Sequence, residues 1–360
     1  MKKYIICIII AITAGLNAKV SAQGLNSGYF TDGYTFAHQL NPAFDNDHNY
    51  FSIPVLGNIN IGTRGNVGLG SFLFPYKNGQ LTTFMNSSVS AEEFLGGLKD
   101  NNRIGASVNL SFLSAGFKAW GGFNTIDIGL RSNTYANLPY ELFEFMKLGQ
   151  QGASSTYDLQ DLGINSSNYI EIALGHSRNI GDKLRVGAKV KFLLGGAYVD
   201  VKMNDMSVTL AEDKWMVKAN GEMNAALKGL SIPTKAESGK ELVDWNNIEV
   251  NNPGLTGFGL AVDLGATYKV MDNLTVSAAL KDFGFINWSN NTQASTANSS
   301  WEFNGFQNIA VDSEMGDDDP NSLNSQLDRL TDDLEDFASF HRQSAGGSLT
   351  RMLSATLNVG

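Results

Sequence analysis

The chain has 360 residues, with 26 basic against 36 acidic side chains for a net charge of −10, and a single cysteine. That balance excludes nucleic acid as an expected partner, because a phosphate backbone calls for a basic face. Charged residues make up only 17%, glycine is abundant at 38 and proline scarce at 7; beyond the first 22 residues no run approaches the about 18 consecutive apolar residues of a spanning helix, so helical membrane spans are excluded and β-rich architectures stay open.

The chain opens on Lys2 and Lys3, continues through an apolar stretch over residues 4–16, and reaches Val20-Ser21-Ala22 before Gln23. This is the layout of a secretory signal peptide, residues 1–22, cleaved after Ala22. Its apolar run is too short to span a bilayer, which takes about 20 residues. The cysteine, Cys7, lies inside the signal. The exported chain then has no thiol for a disulfide, a thiolate metal cluster or a cysteine nucleophile. Losing Lys2, Lys3 and Lys19 leaves 23 basic residues against 36 acidic, a net −13.

Residues 23–49 precede the first expected strand, over 50–61. Residues 62–105 read as a loop, with the apolar 67–74 a strand extension or a small hairpin within it. Strands follow over 106–119 and 124–135, joined by the tight turn Gly121-Gly122-Phe123. The excursion 136–168 carries a short amphipathic helix over 139–149. A strand over 169–180 turns at Gly181-Asp182-Lys183 into 184–192, where Leu184, Val186, Ala188, Val190 and Phe192 alternate with Arg185, Gly187, Lys189 and Lys191. That strict period of two makes one face apolar and the other cationic. The excursion 195–255 holds a hairpin of 199–210 and 214–227 around Ala211-Glu212-Asp213. Strands over 256–270 and 274–288 meet at Met271-Asp272-Asn273, and a last excursion, 289–350, leads to a strand-like run over 351–359. That excursion holds a helix over 321–342, and its stretch 312–336 carries ten acids against Arg329. Asp317-Asp318-Asp319 lacks the spaced ligands, turn glycine and closing glutamate of a calcium loop, so a solvated acidic surface is expected there.

Short turns at one end and long excursions at the other are the habit of transmembrane barrels of the bacterial outer membrane, whose periplasmic turns are short and outer loops long. The alternation of strand direction keeps every short turn on one side. The expected class is all-β, an antiparallel outer-membrane β-barrel over residues 50–360 with long extracellular loops carrying short helices. Arg185, Lys189 and Lys191 are the candidate lumen-facing residues, with the apolar set of 184–192 against lipid. Trp120, Tyr135, Tyr169, Tyr268 and Trp288 fall near strand ends, where aromatic girdles sit at membrane interfaces. On this reading Val186→Arg costs roughly 2–4 kcal/mol near the midplane and Lys189→Ala far less.

Three stretches carry a resemblance. They are His38-Gln39-Leu40-Asn41-Pro42-Ala43, the run from Gly259 through Val262-Asp263 to Tyr268, and Lys281-Asp282-Phe283-Gly284-Phe285-Ile286-Asn287-Trp288. In this order behind a signal peptide they resemble a Bacteroidota family of outer-membrane β-barrels of undefined function, itself similar to FadL-type long-chain fatty-acid transporters. The resemblance implies that Asn41, Pro42 and Ala43 belong to an N-terminal hatch folded into the lumen, and that a hydrophobic substrate leaves sideways into the membrane. An ordinary turn leading into the first strand, with residues 23–49 in the periplasm, is the alternative. About eight strands are visible where a FadL-like barrel should have about fourteen, and the chain stops inside the run 351–359, so the sequence reads as truncated at its C-terminus. A complete barrel of about eight strands would instead have an interior filled by side chains.

Chemistry for an enzyme is not visible. His38, His48, His176 and His341 are the only histidines, none in a catalytic motif. His176 as the base of a membrane-embedded hydrolase is weighed against a lumen histidine, and the latter is preferred. No cofactor or metal is expected. Two functions remain. One is passive uptake of small hydrophobic molecules such as fatty acids, which an apolar lumen pocket would favour. The other is a non-transporting surface or secretion-associated barrel whose outer loops bind a protein or glycan, favoured by a lumen filled with salt bridges. Outer-membrane lipid is the expected partner in both.

Overall fold

A computed structural model describes residues 28–29, 31, 33–53, 59–237, 239–297, 299–306, 322–337 and 339–360. The signal peptide and much of the acidic run 312–336, with Asp317-Asp318-Asp319, lie outside the described residues. In chain order the strands are β1 (Tyr50–Ser52), β2 (Ile59–Gly65), β3 (Leu73–Pro75), β4 (Leu81–Thr83), β5 (Asn101–Ala119), β6 (Gly122–Pro139), β7 (Ser154–Asp158) and β8 (Gly163–Ile180). They continue with β9 (Leu184–Ala211), β10 (Trp215–Leu227), β11 (Leu230–Ser231), β12 (Thr234–Glu237), β13 (Lys240–Val243), β14 (Glu249–Val250), β15 (Gly257–Met271), β16 (Leu274–Thr296), β17 (Ser300–Phe303), β18 (Phe340–Met352) and β19 (Thr356–Val359). Among the described residues three α-helices, α1 (Ala91–Leu95), α2 (Tyr140–Leu148) and α3 (Leu323–Phe337), sit between strands.

A 15-stranded antiparallel sheet dominates the architecture. Side by side run β1 with β2, then β5, β6, β8, β9, then β15 with β10 beyond it, then β16, then β18 with β19, and last the short β13 and β12 beyond β18. Among the described residues the first strands pair only with β5, and β18 and β19 do not pair with them. The small hairpin β3–β4 takes only the end of the apolar 67–74 stretch, whose middle is a 3-10 turn over Leu69–Ser71. β9 overruns its expected end at residue 192: its first half pairs β15 and its second half pairs β10, so the expected outer hairpin is a continuation of the sheet. The Gly195-Gly196 pair that looks like a strand end is instead the place where one neighbour replaces the other.

The turns at 120–121, 181–183 and 272–273 lie at one end, and the tight β9–β10 turn, where the Ala211 N–H donates to the Lys214 carbonyl, lies at the other. Trp120 and Gly121 both have positive φ, 56° and 71°, which is the two-residue hairpin geometry that matches strand twist. At the other end the loops build small apolar clusters. Phe84, Val89, Phe94, Leu95 and Phe143 pack together there, joining the 66–100 loop to α2. The Lys147 ammonium of α2 donates to the backbone carbonyls of Phe84, Asn86 and Val89 at 2.7, 3.2 and 2.6 Å, fixing that cap.

The two faces of the sheet are inverted relative to a soluble protein. Val190, Phe258, Leu264 and Phe283 are exposed at 46, 52, 52 and 55%, while Asp127, Glu171, Lys189, Lys191 and Asp263 are 2–4% exposed. The girdle expectation needs correction on this point. Trp120 and Tyr268 are outward and exposed, but Tyr169 and Trp288 are buried on the inner face and Tyr135 lies there under the Arg103 guanidinium. For Trp288 the cause is a bulge: Val262 opposes Phe283 and Leu264 opposes Leu280, so Lys281 and Asp282 together face Asp263. One inserted residue reverses the parity of everything after it.

Candidate functional site

Single charged residues at alternate positions of otherwise apolar strands supply the inner face. Asp127 sits between Ile126 and Ile128 on β6, Glu171 between Ile170 and Ile172 on β8, and Asp263 between Val262 and Leu264 on β15. β9 adds Lys189 and Lys191, and the β16 bulge adds Lys281 and Asp282. Asp282 has φ 58°, a left-handed conformation uncommon for a non-glycine residue, and its backbone N–H donates to Asp263 Oδ1 at 2.7 Å.

These groups form a connected network. The Lys191 ammonium lies 2.6 Å from Asp282, 2.7 Å from Asp263 and 3.4 Å from Glu171. Glu171 also accepts from the Arg131 guanidinium at 2.7 Å. Asp127 receives Lys189 at 3.2 Å, the Ser114 hydroxyl at 2.6 Å and the Gln39 amide at 3.3 Å. Buried charges persist only when paired and hydrogen-bonded in this way.

The N-terminal segment is laid into this face, and the sheet wraps around it. Tyr29 bonds to Ser277 of β16, the Leu40 carbonyl accepts from Asn358 of β19, and His38 meets Tyr50 of β1 at 2.7 Å. Asn41 and Ala43 are fully buried. The Asn41 amide donates to the carbonyls of Ala266 and Ala278 at 3.4 and 3.3 Å, while its Oδ1 accepts from the Ala43 N–H at 2.9 Å. Glycine makes the approach possible: a Cβ on Gly187 would collide with the Pro42 carbonyl, and one on Gly265 with Asn41 Oδ1.

Proton positions around His38 follow by elimination. Ser114 gives its only proton to Asp127, so Tyr50 donates to Ser114 Oγ at 3.0 Å and accepts from His38 Nε2–H. His38 Nδ1 is left buried without a partner. Burial, together with the Lys189 charge, lowers the His38 pKa from 6.5 to about 3 against the opposing pull of Asp127, so the ring is neutral.

Between the N-terminal segment and the loop end lies a cavity of about 480 Å³. Its deep wall holds the charge network with Lys281, and its upper wall holds Arg103, Tyr135, Trp288 and Arg351. The cavity is charged on its deep wall and mixed elsewhere, with Leu40, Ile286, Trp288, Met352 and Leu353 in its lining. Among the described residues no group of histidine and carboxylate side chains is arranged to hold a metal ion. His176 is bonded through Nδ1 to Asn124 Oδ1 at 2.9 Å near the turn end, and its neighbour Ser177 accepts from Arg185.

Of the residues singled out from sequence, Lys189, Lys191, Asn41, Pro42 and Ala43 converge on this interior. Arg185 faces the same side near the turn end, paired with Asp45 of the N-terminal segment at 3.0 Å. Sequence reading missed Asp127, Arg131, Glu171, Asp263, Lys281 and Asp282. Their signal was available in the first, third and fourth, each a lone charge between two β-branched or aliphatic neighbours.

The chain belongs to a family of unknown function, DUF5723, whose sequence profile matches residues 42–360. No curated protein and no solved structure matches it.

Proposed function

For this member of a family of unknown function, we propose a role as an outer-membrane protein of barrel type, embedded in lipid through the outward face of its sheet. Its interior is closed by the N-terminal segment, and its loops form the working surface. The observation that carries this reading is the inverted polarity: an apolar face left open beside a charged face that is buried and paired. Water outside would reward the opposite arrangement, whereas hydrocarbon rewards this one.

Of the two functions that follow from a barrel, the interior favours the non-transporting one. Uptake of a fatty acid, as the FadL resemblance implies, calls for an apolar path, and ion pairs with Asn41 and His38 fill the route here. The loop end offers exposed Leu69, Leu73, Leu81 and Met85 for a protein or glycan partner. The test is paired. The full chain reconstituted in liposomes should transfer oleate no faster than empty liposomes, and a photo-crosslinker at Leu81 or Met85 in living cells should trap a defined species that one at Tyr268 does not. Oleate transfer that depends on the protein, with no species trapped at the loop end, would reverse the choice.

A further inference from the structure

Three carboxylates, Glu171, Asp263 and Asp282, converge on Lys191, and Asp127 is taken by Lys189. Among the described residues Lys281, from the same bulge as Asp282, has no hydrogen bond and no carboxylate within ion-pair distance, yet it lines the cavity. Lys281 is partly buried, and taking an ammonium even partly out of water without a partner is costly. The bulge makes the placement more pointed. A regular ladder would turn one of Lys281 and Asp282 outward; both face inward only because Asp282 adopts φ 58°. Such local strain persists where the surroundings demand it, and it gathers at binding sites.

We propose that Lys281 is the anchor of a binding site for a small soluble oxyanion, carried by a carboxylate or a phosphate group, in the interior cavity. The ammonium supplies up to three donors to such a group, and the guanidinium of Arg131 flanks the same cavity. A volume of about 480 Å³ accommodates a small polar metabolite with its water. The charged deep wall, where Lys281 sits, favours a polar ligand over a long acyl chain, so the ligand differs in class from a fatty acid. The site goes beyond the loop-binding role and stands whether or not a partner is found at the loops.

The experiment uses the full chain purified in a nonionic detergent at low ionic strength, with equilibrium dialysis against inorganic phosphate, succinate, oleate and a phosphatidylglycerol micelle. Saturable binding of phosphate or succinate is expected, and the tighter of the two identifies the group. Lys281→Gln should weaken it at least about tenfold, the loss of one charge-assisted hydrogen bond, and Lys281→Arg should hold within a few-fold. A second readout needs no variant: bound phosphate or succinate should slow acylation of Lys281 by a small amine reagent, followed by mass spectrometry. Three results would each overturn the proposal. They are no saturable binding of either small anion to the wild-type chain, equal affinity in a folded Lys281→Gln chain, and binding confined to oleate or the lipid micelle.

Discussion

Lys189→Ala tests the interior network, and the structure reverses the expectation drawn from sequence that this change is cheap. Lys189 is 4% exposed and its ammonium is 3.2 Å from Asp127. Removing it leaves Asp127 with the Ser114 hydroxyl, the Gln39 amide and, 3.5 Å away, the His38 ring, whose burial, the largest cause of its lowered pKa, disfavours the charged form. Breaking a buried pair from one side costs about 3–5 kcal/mol, because the surviving charge stays buried. That equals or exceeds the roughly 2–4 kcal/mol expected for Val186→Arg in lipid. The assay is urea unfolding in phospholipid vesicles, followed by tryptophan fluorescence and by the mobility shift of the folded form on gels. The companion chain, Lys189→Met with Asp127→Asn, removes both charges and should recover most of the loss. A single-variant cost below about 1 kcal/mol, or a double variant as unstable as the single, would refute the argument that the pair is dry and coupled.

Gly265→Ala should force Asn41 out of its seat, costing about 1–3 kcal/mol and opening residues 33–49 to added protease, measured as the rate of cleavage of folded protein. Stability should fall with acid through His38. Its folded pKa near 3 lies below the ordinary 6.5, so below pH 6.5 the unfolded chain takes up a proton that the folded chain refuses. The loss approaches about 1.4 kcal/mol per pH unit down to the folded value, and His38→Gln should remove this part of the slope in unfolding experiments between pH 7 and 4. For orientation, a cysteine placed at Asp213 should react with an impermeant maleimide on intact cells and one at Asp182 should not, and the reverse pattern would invert the topology.

The strands and their alternating faces were legible because their inward and outward positions differ so sharply in polarity. Leu184 to Phe192 told its own story, and Ile170, Ile172 and Leu174 against Tyr169 and Glu171 told the same one, enough to place Tyr169 inside had the parity been followed. The β16 bulge was not legible. Nothing in Lys281-Asp282-Phe283 marks a residue of positive φ, and only the register across to Asp263 shows that two successive side chains face one way. The network itself was hidden for a related reason. Pairs such as Lys191 with Asp282 and His38 with Tyr50 join residues from different strands and from the N-terminal segment, and their meeting depends on how the sheet wraps. The seat of Asn41 depends likewise on Gly187 and Gly265, whose spacing from the Asn-Pro-Ala box carries no local pattern.

The central claim is that the open apolar face meets lipid. Nitroxide labels on single cysteines at Val190, Val262 and Phe283, all outward, and at Trp120, at the turn end, test it in reconstituted vesicles. Labels at the first three should collide readily with oxygen and poorly with a water-soluble nickel chelate, and the label at Trp120 should show less of that contrast. Free access of the nickel chelate to positions 190, 262 and 283 would mean that the face is wet, and would contradict the account.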